Sequence, residues 1–330
     1  MGNERVSVVA TSTVRFWSGN HPNKMDRKPL LKNVRAHLSL YLISLPGLFH
    51  LLLFSYAPMS GIIVAFKRFM PTLGVFRSPW NGLRNFEFFF TTPDAWRITR
   101  NTILLNLLFL VSGTIAALAI AVILNEMKGR IIRRFIQSTT ILPFFLSWMI
   151  VGVMAYGVFA YNTGFFNNVL TRLGLSRQDW YLLPAYWPAI LAMFSIWKGS
   201  GMSAVIYLAA MAGIDLQLYE AARIDGGSRW QCIRYITLPL LKPTISILVL
   251  LAVGRIFTAD FGMIFALVRK NAILYSTTDV IDFYVFRALA DLGDYSMAAA
   301  AGLYQSLVGF ALVLGSNWLV RRLNPDNALF

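Results

Sequence analysis

Apolar residues along this chain fall into runs longer than the core helices of a soluble protein need. Six stand out: 36–65, 101–125, 135–161, 182–214, 243–268 and 295–320. Roughly 20 apolar residues in helix cross the ~30 Å hydrocarbon layer of a bilayer, so the pattern predicts an all-α integral membrane fold of about six transmembrane helices. Four of the runs hold no Asp, Glu, Lys or Arg; the other two hold Lys198, and Arg255 with Asp260. Residues 1–35 are polar and basic without apolar periodicity and read as a lead, 36–322 as one membrane domain, and 323–330 as a tail. The first run is too long for the apolar stretch of a signal peptide and reads as a retained anchor.

The connections carry different patterns. The segment 66–100 is broken by Pro71, Pro79 and Pro93 and reads as an irregular packed loop, and 269–294 carries Asp279, Asp282, Asp291 and Asp294. The most structured connection is 215–239. Asp215 is placed to cap a helix over Leu216–Ile224, which is rich in good helix formers. Gly226 and Gly227 offer the left-handed conformation that closes a helix. Ser228 with Gln231 three residues later is a capping box for a second helix, expected to stop at Pro239 before the fifth run. Arg223, Arg229 and Arg234 keep the segment soluble, and the small Ala221 and Ala222 let another surface come close. Both a docking element and a plain amphipathic connector fit this pattern.

Composition agrees with a membrane protein: 57% of the 330 residues are hydrophobic and 14% charged, against about a quarter charged in soluble domains. The net charge of +15 invites a nucleic-acid partner, but most of the cations of alternate connections, such as Lys128, Arg130, Arg133, Arg321 and Arg322, lie close to span ends, where positive charge orients insertion. That distribution puts both termini in the cytoplasm and argues against nucleic acid. Cations on the opposite side, including Lys67, Arg68, Arg97, Arg100, Arg269, Lys270 and Arg287, are left over. They fit a vestibule that concentrates an acidic ligand, and equally a docking face for an acidic binding protein or lipid headgroups. Cys232 is the only cysteine, so an internal disulfide or a thiolate metal cluster is excluded.

The segment Glu220-Ala221-Ala222-x-x-Asp225-Gly226, followed by Ile236-x-Leu238-Pro239-x-x-x-Pro243, resembles the EAA signature of binding-protein-dependent ABC importer permeases. Gly227 stands where Ala is typical and Ile233 where Phe is typical. Gly82-Leu83-x-Asn85-Phe86 is similar to that family's outer-loop motif. Val280-Ile281-Asp282-x-x-Val285-x-Arg287 and the ending Asp326–Phe330 resemble the subgroup that imports poly- and oligosaccharides, alginate-type importers among them. The resemblance implies a multi-pass subunit of the bacterial inner membrane that binds no cofactor itself. Its implied partners are a second permease, two ATPase subunits holding ATP and Mg, an extracytoplasmic solute-binding protein, membrane lipid and an oligosaccharide. It also implies that Tyr219, Glu220, Ala221, Ala222, Asp225, Gly226 and Gly227 form a coupling helix docked on an ATPase. In keeping with this, the chain has no G-x-x-x-x-G-K-[ST] phosphate loop; Gly199-Ser200-Gly201 lacks the lysine and lies in an apolar run.

Charged groups at membrane depth face a cavity or a partner, which makes Lys198, Arg255 and Asp260 pathway candidates; the oligosaccharide resemblance adds Asp282 and Arg287. Read as one helix, Arg255 and Asp260 stand about 140° apart, too far for a simple pair. Each of these residues has a plainer role open to it, joining helices. The aromatic run Phe144, Phe145, Trp148, Tyr156, Phe159 and Tyr161 suits packing better than sugar stacking, and His37 and His50 read as structural. A stand-alone secondary transporter or channel is the alternative; it is expected to show paired intramembrane carboxylates, and only Asp260 is present. A membrane enzyme lacks its cluster of His, Asp or Cys.

Overall fold

The computed structural model describes residues 38–323; the lead 1–35, His37 and the ending Asp326–Phe330 lie outside them. The described chain divides into two compact units at Met59/Ser60. In the first, α1 (Leu38–Leu51) passes into a π turn, Leu52–Tyr56. His50 there packs at a tilt against Phe54, ring centroids 4.8 Å apart.

The second unit is helical throughout, apart from one antiparallel bridge between Lys67 and Trp80. Its main elements are α2 (Arg84–Thr91), α3 (Pro93–Glu126), α4 (Arg130–Ile141), α5 (Trp148–Phe159), α6 (Phe165–Arg172), α7 (Trp187–Ala212), α8 (Leu216–Ile224), α9 (Arg229–Cys232), α10 (Leu238–Val253), α11 (Phe261–Val268), α12 (Ile281–Ala290) and α13 (Tyr295–Leu323). Among the described residues five helices are long and apolar enough to cross a membrane: Leu38–Phe66, Pro93–Glu126, Pro184–Ala212, Arg229–Val253 and Tyr295–Trp318. A sixth span exists if the bent pair Arg130–Phe145 and Trp148–Phe159 counts as one.

α3 lies along α7 and carries much of the core. At the end nearer α8, Ala117, Ala121 and Leu124 meet Ala204, Leu208 and Leu241; toward the other end, Leu105, Val151, Leu191, Phe194 and Leu267 are buried together. Small residues set two crossings. A Cβ on Gly201 of α7 would strike the Thr140 carbonyl of α4, and one on Gly152 of α5 would stand 2.5 Å from the Ala266 carbonyl of α11. Only glycine lets these backbones approach so closely.

Three expectations change. The run 135–161 is not one helix: it bends by 101° at Leu146–Ser147. Pro143 has no N–H to give the preceding turn, the stretch Leu142–Phe145 tightens to a 3-10 helix, and Ser147 caps a fresh start at α5 by accepting from Ile150 N. Conversely, Pro239 does not stop the helix begun at Arg229. A π turn, Ile233–Thr237, widens the backbone just ahead of it, and Pro239 sits in the first turn of α10, where a missing N–H is tolerated. Third, the run 243–268 is interrupted: α10 ends at Val253, and Asp260 caps α11 by accepting from Met263 N at 3.1 Å. Arg255 and Asp260 therefore stand on a turn, not on a helix, and the 140° separation does not apply.

Candidate functional site

The turn 254–260 is clamped from two sides. Asn106 of α3 donates to the carbonyls of Ile256 (2.9 Å) and Thr258 (3.4 Å). Gln305 of α13 donates to the Phe257 carbonyl at 3.0 Å and to both oxygens of Asp282, which itself accepts from Ala259 N at 2.7 Å. Phe257 is buried beneath the turn. So fixed, the turn forms one wall of a cavity of about 600 Å³ between α3, α7 and α10, lined by Asn106, Ser195, Arg255, Thr258 and Asp260 with apolar Phe109, Leu110, Leu251 and Met263. Arg255 and Asp260 are its only charged lining residues. The Arg255 guanidinium has no ion-pair or hydrogen-bond partner among the described residues, while Asp260 accepts from Trp148 Nε1 at 2.7 Å.

A second cavity of about 300 Å³ adjoins the first through Phe109, Leu110, Ser195 and Ala252. It is edged by Gly113 and Thr114 of α3 and by Gly199, Ser203 and Tyr207 of α7. Ser195, Gly199, Ser203 and Tyr207 recur every fourth residue, so they share one helix face, and Ser195, Ser203 and Tyr207 set a track of hydroxyls along the groove. Sequence reading missed this track and Asn106; the four-residue recurrence was the signal available for it.

The other pathway candidates are placed differently. Lys198 reaches across the bend, donating to the Phe144 carbonyl at 2.7 Å with its ammonium 5.3 Å from the Phe144 and Trp148 ring centroids; it joins helices rather than lining either cavity. Asp282 is spent on the clamp. Arg287 pairs with Asp279 at 2.6 Å over the ring of Tyr275. Asp279 is fully buried and also receives Arg97 at 3.0 Å, which in turn reaches Asp94 at 2.8 Å. Burial raises the Asp279 carboxyl above the ordinary carboxylate range against the pull of both guanidiniums. Much of the expected vestibule charge is likewise engaged within the fold. Lys67 is buried on the carbonyls of Val75 and Phe76, Arg100 donates to Asn101 and Ser276, Lys270 pairs with Asp291, and Arg269 lies over Tyr156. The Asn85 motif is structural too: its amide clamps the carbonyls of Ala65 and Lys67. Of the aromatic run, Phe159 is buried core and Trp148 holds Asp260.

At the α8 end, the helix, glycine turn and capping box are all formed. Asp215 accepts from Gln217 N at 2.9 Å. Gly226 takes φ +80°, its N–H bonding Arg223 O at 3.1 Å, and Gly227 N–H bonds Ala222 O at 2.8 Å, the paired bonds of a Schellman close. Ser228 and Gln231 exchange both capping bonds. Tyr219 ties α8 to the π turn through Thr237 at 2.9 Å. None of α8 is buried, and Leu216, Ile224, Trp230 and Tyr235 are more than 60% exposed. Glu220 shares a cavity of about 340 Å³ with Glu126, Lys128, Arg223 and Arg229.

A groove edged by polar side chains thus runs among membrane-length helices, with a capped and exposed helix at one end, an arrangement that fits a membrane transport subunit. Comparison with known proteins gives its kind. Residues 110–325 match the family described as binding-protein-dependent transport system inner membrane component, and the chain belongs to that family. Protein LplB of Bacillus subtilis (strain 168) is 36% identical over 293 residues, covering 87% of this chain and 90% of LplB. The polygalacturonan/rhamnogalacturonan transport system permease protein YteP of the same organism is 33% identical over 303 residues, 92% of this chain and 94% of YteP. The crystal structure of a bacterial ABC transporter involved in the import of the acidic polysaccharide alginate matches with a TM-score of 0.82 at 33% identity, covering 90% of this chain and 100% of its own. A second, of a bacterial alginate ABC transporter in complex with alginate pentasaccharide-bound periplasmic protein, gives 0.81 at 32%, over 90% and 98%. The chain has the all-α ABC importer permease fold and is a multi-pass subunit of the inner membrane.

Proposed function

We propose that this permease carries an acidic oligosaccharide, built of uronic-acid residues, along the groove between α3, α7 and α10. The observation that carries the reading is the unpaired Arg255 guanidinium in the wall of a cavity whose other charged lining group, the Asp260 carboxylate, is bonded to Trp148 Nε1, the rest being hydroxyl, amide and apolar groups. A guanidinium presents a planar set of donors matched to a carboxylate, and the hydroxyl track suits the rest of a sugar. That YteP and the alginate transporter are named for polymers of acidic sugars supports the same substrate class.

In this reading a second permease covers the open side of the groove, and an extracytoplasmic binding protein delivers the oligosaccharide. The α8 end, like both termini, faces the cytoplasm. There α8 docks on one of two ATPase subunits, which supply ATP and Mg, and Glu220 meets a basic group of that partner. Tyr219, Ala221, Ala222, Asp225, Gly226 and Gly227 shape the contact; the exposure of α8 and of Leu216 and Ile224 supports it.

Two substitutions test the reading separately. Arg255→Gln keeps length and hydrogen bonding but removes charge; the assembled importer is expected to lose on the order of tenfold or more in trigalacturonate uptake, as a charge-assisted hydrogen bond is lost. Unchanged uptake kinetics contradict the substrate reading. Glu220→Arg is expected to abolish co-purification with the ATPase or transport by the complex; wild-type transport contradicts the docking reading.

A further inference from the structure

Arg255 and Asp260 stand five residues apart on the same turn, in the wall of the same cavity, with opposite charges, and do not pair. Both are exposed to the groove, and opposite charges in one cavity wall attract; Asp260 is held instead by other partners. Each carboxylate oxygen of Asp260 is already engaged: Oδ2 accepts from Trp148 Nε1 at 2.7 Å and Oδ1 from Met263 N at 3.1 Å. The second bond is the helix cap that starts α11. The first comes from outside the turn, from the residue that opens α5 beyond the 101° bend.

The indole is itself held on several sides. Ser147 caps the helix at whose start it stands. Gly262 leaves room for the ring, since a Cβ there would lie 3.0 Å from Trp148 Cδ1. The Lys198 ammonium sits 5.3 Å from the ring centroid while bonded to the Phe144 carbonyl at 2.7 Å. The bend thus has a consequence at the cavity: it delivers an N–H donor to Asp260.

We infer that Trp148 is a specificity-determining positioning residue, whose indole N–H draws the Asp260 carboxylate away from Arg255 and so keeps the guanidinium free for a carboxylate of the ligand. Trp148 does not touch the ligand. It sets the charge the ligand meets: a free cation with the indole bond in place, a neutralised pair without it. The inference rests on the reading of Arg255 as a substrate contact.

The test uses the complete importer in proteoliposomes, with trigalacturonate as the probe and uptake normalised to assembled complex. Trp148→Phe keeps the ring and removes the donor; uptake is expected to fall on the order of tenfold, as for a lost hydrogen bond to a charged group. In Trp148→Phe combined with Asp260→Asn the competing carboxylate is gone, while Asn still caps α11, and uptake is expected to return to within about twofold of Asp260→Asn alone, the level set by a free guanidinium. A merely structural role for Trp148 predicts no such rescue. If Trp148→Phe does not assemble, Gly262→Ala displaces the ring from its other side and is tested with the same Asp260→Asn rescue. Wild-type uptake in Trp148→Phe, or a defect that Asp260→Asn leaves in place, overturns the inference. Unchanged uptake in Arg255→Gln overturns instead the reading beneath it.

Discussion

Gly226 offers a perturbation whose size follows from the backbone alone. Its φ of +80° lies in the left-handed region, and a Cβ built there meets nothing within 4 Å. A substitution therefore costs conformational strain without a clash. For an ordinary L-residue that strain is about 1–2 kcal/mol, more for a β-branched side chain and least for Asn. The helix it closes is short, nine residues with none buried, so little besides its caps and the Tyr219–Thr237 bond holds it. A loss of about 1.4 kcal/mol is a tenfold change in the local closing equilibrium. In Gly226→Val, hydrogen exchange at the amides of Asp225, Gly226 and Gly227 is expected to quicken by about tenfold or more, and in Gly226→Asn by much less. If α8 couples hydrolysis to transport, the Val variant also hydrolyses more ATP per solute imported, with its spans intact. Equal exchange in Gly226→Val and wild type refutes the claim that the left-handed close holds α8 together.

Two other substitutions probe the membrane core. Asp279→Asn leaves the Arg97 and Arg287 guanidiniums without their shared counter-charge and is expected to destabilise the fold by about 3 kcal/mol, read as a lowered thermal midpoint in detergent; an unchanged midpoint contradicts the structural role given to Arg287. Gly201→Ala forces α7 off the Thr140 carbonyl of α4, costing on the order of 1–3 kcal/mol, and is expected to reduce the monodisperse fraction in size-exclusion chromatography, whereas Gly199→Ala, with open space at its Cβ, is not.

Local signals survived into the structure wherever neighbouring residues decide the outcome. Asp215, Gly226 and the Ser228/Gln231 box act through bonds within three residues, and all are present. Apolar length likewise located four of the membrane-length helices, at 36–65, 101–125, 182–214 and 295–320, because burial in lipid depends on composition more than on partners. Interruptions inside apolar runs were harder to read, since hydropathy is blind to them. Pro143 with Ser147, and Gly254 with Asp260 ahead of Phe261–Val268, were the available signals, and each has the form of a helix stop or N-cap. Pro239 misled in the other direction because a π turn absorbed it. The fate of Lys67, Arg97, Lys270 and Arg287 was beyond sequence altogether: their partners are carbonyls, rings and carboxylates whose proximity is set only by tertiary packing. The same holds for the clamp on the 254–260 turn, made by Asn106 and Gln305 from distant helices.

The central claim is that an importer built on this permease moves a charged sugar past an unpaired guanidinium. Its most direct test is ATP-driven uptake into proteoliposomes holding the permease pair, both ATPases and the binding protein, with trigalacturonate compared against its fully methyl-esterified form. The two ligands share a skeleton and differ in carboxylate charge. Rapid ATP-dependent uptake of the acid, slower by about tenfold or more for the ester and for the acid in Arg255→Gln, is the predicted result. Equal uptake of acid and ester, with no effect of Arg255→Gln, contradicts it.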